Sequence, residues 1–141
     1  MGRGYWYPPN GENLAACDGF LIDSRGVYKG QIEDDWNSFL TTVCDGMRNK
    51  NPNLQLVKDW KMVDAGVSRY VLLADDFTEI IAEDADGYVA VFVIIPEKTQ
   101  NGAKANRMFS KYYTDLKHLL VKHYPGFVKK RLNSQHLEDV G

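Results

Sequence analysis

A chain of 141 residues, 44% apolar and 26% charged, suits a single globular domain with a sizeable core and excludes disorder for its bulk. Its longest apolar run, YVAVFVII (88–95), is far shorter than the roughly 20 residues of a membrane-spanning helix, so no membrane partner is expected. The net charge of −2 hides a split: residues 1–97 hold 8 Lys and Arg against 16 Asp and Glu, and residues 98–141 hold 9 against 3.

The stretch GYWYPPNGE (4–12) packs three aromatics among Gly and Pro. Residues 1–19 are too densely punctuated for a helix or central strand and read as an irregular N-terminal arm. FLID (20–23) is a short strand, and SRG (24–26) turns the chain after it. Residues 31–49 predict a helix, with Ile32, Trp36, Phe39, Leu40, Val43 and Met47 on one face. Glu33, Asp34 and Asp35 stand in its first turn, where carboxylates meet the positive end of the helix dipole. Pro52 stops it, and Gly46 weakens its middle by about 1 kcal/mol relative to Ala.

Four strands follow, at 54–63, 67–74, 77–84 and 88–95, separated by turns at 64–66, 75–76 and 85–87. Such short connections predict antiparallel hairpins, because a parallel crossover needs a dozen or more residues. The last of the four is apolar on both faces and is expected to be covered twice. Residues 103–123 predict a second amphipathic helix with Ala105, Met108, Phe109, Tyr112, Leu116, Leu119 and Leu120 on its apolar stripe, ended by YPG (124–126). FVKKRL (127–132) reads as an edge strand whose cations discourage further pairing, and 133–141 as a fraying tail.

The expected fold is therefore α+β and one domain over 1–141: an antiparallel sheet, a four-stranded meander plus short terminal strands, with two amphipathic helices packed on one face. The expected core holds Trp36, Phe39, Val43, Ile81, Val91, Val93, Met108, Tyr112 and Leu116.

Chemistry-bearing patterns are weak. EDADGYV (83–89) fails as a calcium loop: with Gly87 at the sixth position, Ala82 falls first and Val93 twelfth, and Asp86-Gly87 reads as a hairpin turn instead. His118 and His123 lie five apart and do not share a helix face, and neither Cys17 nor Cys44 has a second cysteine at ligand spacing. No GxSxG and no glycine-rich phosphate loop occurs. No metal, cofactor or catalytic residue is expected. Two reduced thiols and the lack of a basic-then-apolar leader point to a cytoplasmic protein.

Two surfaces remain as binding candidates. Lys104, Arg107, Lys111, His118 and Lys122 form a stripe on the second helix, followed by Lys129, Lys130 and Arg131, with Tyr112 and Tyr113 beside it to stack on bases. The arm residues Tyr5, Trp6 and Tyr7 either cover the second face of the apolar strand or anchor a partner. The function expected is a small non-enzymatic binding protein, a regulator or inhibitor acting by surface complementarity, whose partner is a protein or a second copy of this chain. The alternatives are a nucleic-acid or nucleotide binder using the basic stripe, and an enzyme whose site assembles from scattered carboxylates and tyrosines. The stripe is expected to be dispensable for folding: reversing Lys104, Arg107 and Lys111 together should change stability by less than about 1 kcal/mol.

Overall fold

The computed structural model describes residues 14–57, 68–74, 79–85, 87–97 and 102–133. Six strands, β1 (Leu14–Asp23), β2 (Gln55–Val57), β3 (Ser68–Leu73), β4 (Glu79–Ala85), β5 (Tyr88–Pro96) and β6 (Val128–Asn133), make one sheet in the order β2-β3-β4-β5-β1-β6. Every pairing in it is antiparallel. With α1 (Ile32–Lys50) and α2 (Gly102–His123), the expected α+β class is met. Residues 58–67 and 75–78, the connections on which a four-stranded meander depends, lie outside the described residues, as do Tyr5, Trp6 and Tyr7 and the tail from 134.

Strand β1 corrects the sequence reading. The chain is extended from Leu14, not from Phe20, and it lies inside the sheet between β5 and β6. LAACDG has little intrinsic strand preference, being rich in Ala, Asp and Gly; pairing along both edges supplies what propensity does not. Gly19 is required there. It sits opposite Phe92, and a Cβ added to it would lie 2.2 Å from the Val91 carbonyl oxygen.

Alternation along the strands sorts the side chains into two layers. Phe20 and Ile22 of β1, Ile80 and Ala82 of β4, and Val89, Val91 and Val93 of β5 join Phe39, Leu40, Val43, Cys44 and Met47 of α1 and Tyr112, Leu116 and Leu120 of α2 in one core. Trp36 and Met108, placed in the core by the sequence, are partly buried and pack against it. Ile81 registers opposite Phe92, and its neighbour Ile80 takes the core position. Ile32 is 64% exposed: the packed stripe of α1 begins one turn later, at Trp36. Both faces of β5 are buried, since Ala90, Phe92 and Ile94 are as inaccessible as Val89, Val91 and Val93.

Gly46 has a packing role that its helix propensity does not reveal. A Cβ there would meet the Leu119 side chain at 2.4 Å, so the glycine lets Leu119 of α2 close on α1. Gly87 and Gly126 both take positive φ, +82° after β4 and +84° before β6, as their turns demand.

The two close approaches predict different costs. Gly19→Ala sets a methyl against backbone that cannot turn aside, and should destabilise by about 1–3 kcal/mol in a urea titration. Gly46→Ala meets the movable end of a leucine while gaining about 1 kcal/mol of helix propensity, and should stay within about 1 kcal/mol of wild type.

Candidate functional site

The cations of α2 and β6 are the candidate binding groups that the sequence offers among the described residues. Residues 102–133 carry eight Lys and Arg and one Asp. Helical spacing fixes where they point. The apolar residues Ala105, Tyr112, Leu116 and Leu120 take one side of α2, and Lys104, Arg107, Lys111, His118 and Lys122 stand exposed on the other. Lys117 is exposed one turn beyond Tyr113, on the flank that faces β6.

Within this surface the cations divide by what they do. Lys111 is a structural clamp. Its Nζ donates to Asn51 Oδ1 at 2.6 Å, Asp115 Oδ2 at 2.9 Å and the Lys50 carbonyl at 3.2 Å. Asn51, buried just past the end of α1, donates its Nδ2 to the Met47 carbonyl and to Asp115 Oδ2, both at 3.1 Å. Of the last carbonyls of α1, that of Met47 thus accepts from Asn51 and that of Lys50 from Lys111 of α2, which meets part of the requirement every helix terminus carries. Burial pushes the Asp115 carboxyl up, but the hydrogen bonds from Lys111 and Asn51 outweigh it and hold the group below its usual range. Charge reversal at Lys111 would set a carboxylate against Asp115, so of the three positions Lys104, Arg107 and Lys111 this is the one whose reversal is expected to cost stability.

Arg131 is the second structural cation. It leaves β6 on the helix side of the sheet and grips Asp18 of β1 with both prongs of its fork, Nε to Oδ1 at 2.8 Å and Nη2 to Oδ2. Its guanidinium lies 4.6 Å from the centre of the Tyr113 ring, and that ring stacks on Phe20 at 5.1 Å. Asp18 is only 7% exposed, and a carboxylate that deep requires a charged or hydrogen-bonding partner. The same pair raises the Arg131 pKa, chiefly through the hydrogen bonds that the guanidinium donates to Asp18. Tyr112 is fully buried, and Asn53 Nδ2 donates to its hydroxyl at 3.1 Å. The two tyrosines offered by the sequence as base-stacking platforms are therefore packing residues.

Among the described residues Arg107, Lys122 and Lys130 form no ion pair. Arg107, Lys122 and Lys130 are exposed, as is Lys129, whose Nζ donates to the Gly126 carbonyl at 3.3 Å. Lys130 registers against Leu21 and belongs to the opposite face of the sheet from Arg131. Sequence reasoning found this group by spacing and charge. It missed Asp18 and Asn51. Asp18 meets its arginine across 113 residues of chain, which no local pattern encodes, whereas the four-residue step from Lys111 to Asp115 was readable.

Elsewhere the titratable groups serve the fold. Burial, reinforced by the charge of Asp18, pushes the Cys17 thiol up to about 12, so it stays protonated and a poor nucleophile. Asp23 caps the turn after β1: it accepts from the Arg25 N–H at 2.9 Å and pairs with its guanidinium at 2.6 Å, which pulls its pKa down to about 2. Among the described residues no three His, Cys, Asp or Glu side chains converge as a metal site, and no helix is long and apolar enough to cross a membrane. Comparison with protein-family models, with curated proteins and with solved structures finds no match for this chain.

Two outcomes follow. Arg131→Ala leaves the Asp18 carboxylate buried without its fork and should cost about 1–3 kcal/mol in a denaturant titration, while Lys122→Ala stays within about 0.5 kcal/mol. Because the Asp23 pKa is lowered in the fold, its contribution is complete above the unfolded value of 3.8 and fades as pH falls towards 2. The stability difference between wild type and Asp23→Asn should therefore be constant from pH 5 to 7 and shrink towards zero near pH 2, read by thermal unfolding across that range.

Proposed function

We propose that this is a small non-enzymatic binding protein, a regulator or inhibitor class of molecule, that holds an acidic protein partner by the cationic surface of α2 and β6. In this reading the sheet, with β2 to β5 as a four-stranded meander backed by two helices, is a scaffold. The observation that carries it is the division of labour among the cations. Lys111 and Arg131 are tied to Asp115 and Asp18, while Arg107, Lys117, Lys122 and Lys130 stand exposed on neighbouring elements joined through Tyr113 and Arg131. A cluster of exposed like charges repels itself, and a complementary partner relieves that repulsion and gains encounter rate. A protein partner is favoured over a nucleic acid because Tyr112 and Tyr113 are committed to packing, which removes the stacking contribution that single-stranded binders use.

Affinity capture from the native host, followed by mass spectrometry, tests this with wild type and the Arg107→Glu/Lys122→Glu variant. Acidic proteins should be retained by the wild type at low salt and lost from the variant. An unchanged captured set, or nucleic acid co-purifying with the wild type, would show the reading to be wrong.

A further inference from the structure

The outer edge of β6 extends the functional reading, on which the following rests. Among the described residues β6 has one strand neighbour, β1, and it ends the sheet. In an antiparallel ladder, alternate residues turn both backbone polar groups to the same neighbour. The Asp23 N–H donates to the Phe127 carbonyl at 2.8 Å, and the Ser24 N–H donates to the Gly87 carbonyl on the β5 side at 3.0 Å. The odd-numbered residues of β1 therefore face β6. Gly19 and Leu21 pair with Leu132 and Lys130, so those two residues spend their backbone groups inward. Arg131 and Asn133 turn theirs outward, away from β1.

Charge flanks this row of backbone groups on both sides. Lys130 belongs to one face of the sheet; Arg131, its side chain 55% exposed, belongs to the other, with Lys117 of α2 on the same flank. The register shift between Leu21 and Ile22 leaves Lys129 as an additional cation where the strand begins. A second β6 brought alongside would set Lys and Arg against Lys and Arg, which disfavours self-pairing through this edge. An extended chain bearing carboxylates on both faces meets cations on both.

We propose that β6 is a strand-addition site: an extended acidic segment of a partner protein pairs with its outer edge through the N–H and C=O groups of Arg131 and Asn133, and its carboxylates meet Lys117, Lys130 and the exposed side of Arg131. Backbone pairing supplies affinity in this mode, and the flanking side chains supply selectivity.

The test uses the full chain and a fluorescein-labelled, acetylated octapeptide of sequence Glu-Glu-Thr-Thr-Glu-Glu-Thr-Thr, which carries glutamates on both faces when extended, read by anisotropy at low salt. A second peptide of the same sequence is N-methylated at every amide, which keeps its charge and removes its ability to pair as a strand along either edge. Binding to wild type should weaken tenfold or more on N-methylation, and tenfold or more in Lys117→Glu/Lys130→Glu, whose thermal unfolding should match wild type. Amide exchange at Arg131 and Asn133 should slow on binding the unmodified peptide; this measurement needs no variant. If both peptides bind wild type equally and both weaken in the charge-reversed variant, strand addition is overturned while the acidic-partner reading stands. If neither peptide binds, both fall. Tighter binding of an oligothymidylate of equal charge would replace the peptide with nucleic acid as occupant, and peptide-independent self-association lost in the same variant would replace it with a second copy.

Discussion

Strand β1 forms two ladders at once, with β5 on one side and β6 on the other, and the place of β6 in the sheet depends on that double pairing. Among the described strands β6 has no other neighbour. The Asp18–Arg131 pair and the Phe20–Tyr113 stack, which tie the sheet to α2, both start from β1. The pairing is tight enough to dictate a residue: Gly19 passes so close to the Val91 carbonyl that no side chain fits. Strand and helix contacts are thus coupled, since a displacement of β1 would unseat the edge strand, expose a buried carboxylate and remove the ring on which Tyr113 rests.

The charge split along the chain acquires a spatial meaning. On α2 and β6, Lys111 and Arg131 neutralise acidic neighbours. Lys111 joins Asp115 and Asn51 in closing the end of α1, and Arg131 neutralises Asp18. Each satisfies a group that would be costly to bury alone. Arg107, Lys117, Lys122 and Lys130 are exposed, and exposed charges of this kind add little to stability. A surface that costs the fold little to change is free to be shaped by binding, and for that reason the uncommitted cations, rather than the committed ones, carry the functional reading.

How much of this was legible from residue order varied by element, for physical reasons. Both helices were readable because their apolar residues recur at three- and four-residue steps, and their ends carry Pro52 and the YPG stop. The edge position of β6 was readable from its run of cations. The first half of β1 was not, because its strand character comes from neighbours 70 or more residues away. Gly46 looked like a defect in α1 for the same reason: its use lies in Leu119, on another helix. The basic surface was found by spacing, but the separation of structural from uncommitted cations required the partners Asp18, Asn51 and Asp115 to be seen in place.

The placement of β1 beside β6 has a bearing on chain topology. Asp18 registers opposite Asn133, so the first and last described strands are direct neighbours although they lie at opposite ends of the sequence. A chain opened at the hairpin turn of Gly87 and closed through its present ends would run β5, α2, β6, β1, α1, β2, β3, β4. The longest-range ladder in the sheet would become a connection between consecutive strands, while the β4–β5 hairpin would become the distant pair. Since non-local pairing slows folding, such a permutant exchanges one slow closure for another and would show which of the two ladders the native chain waits for.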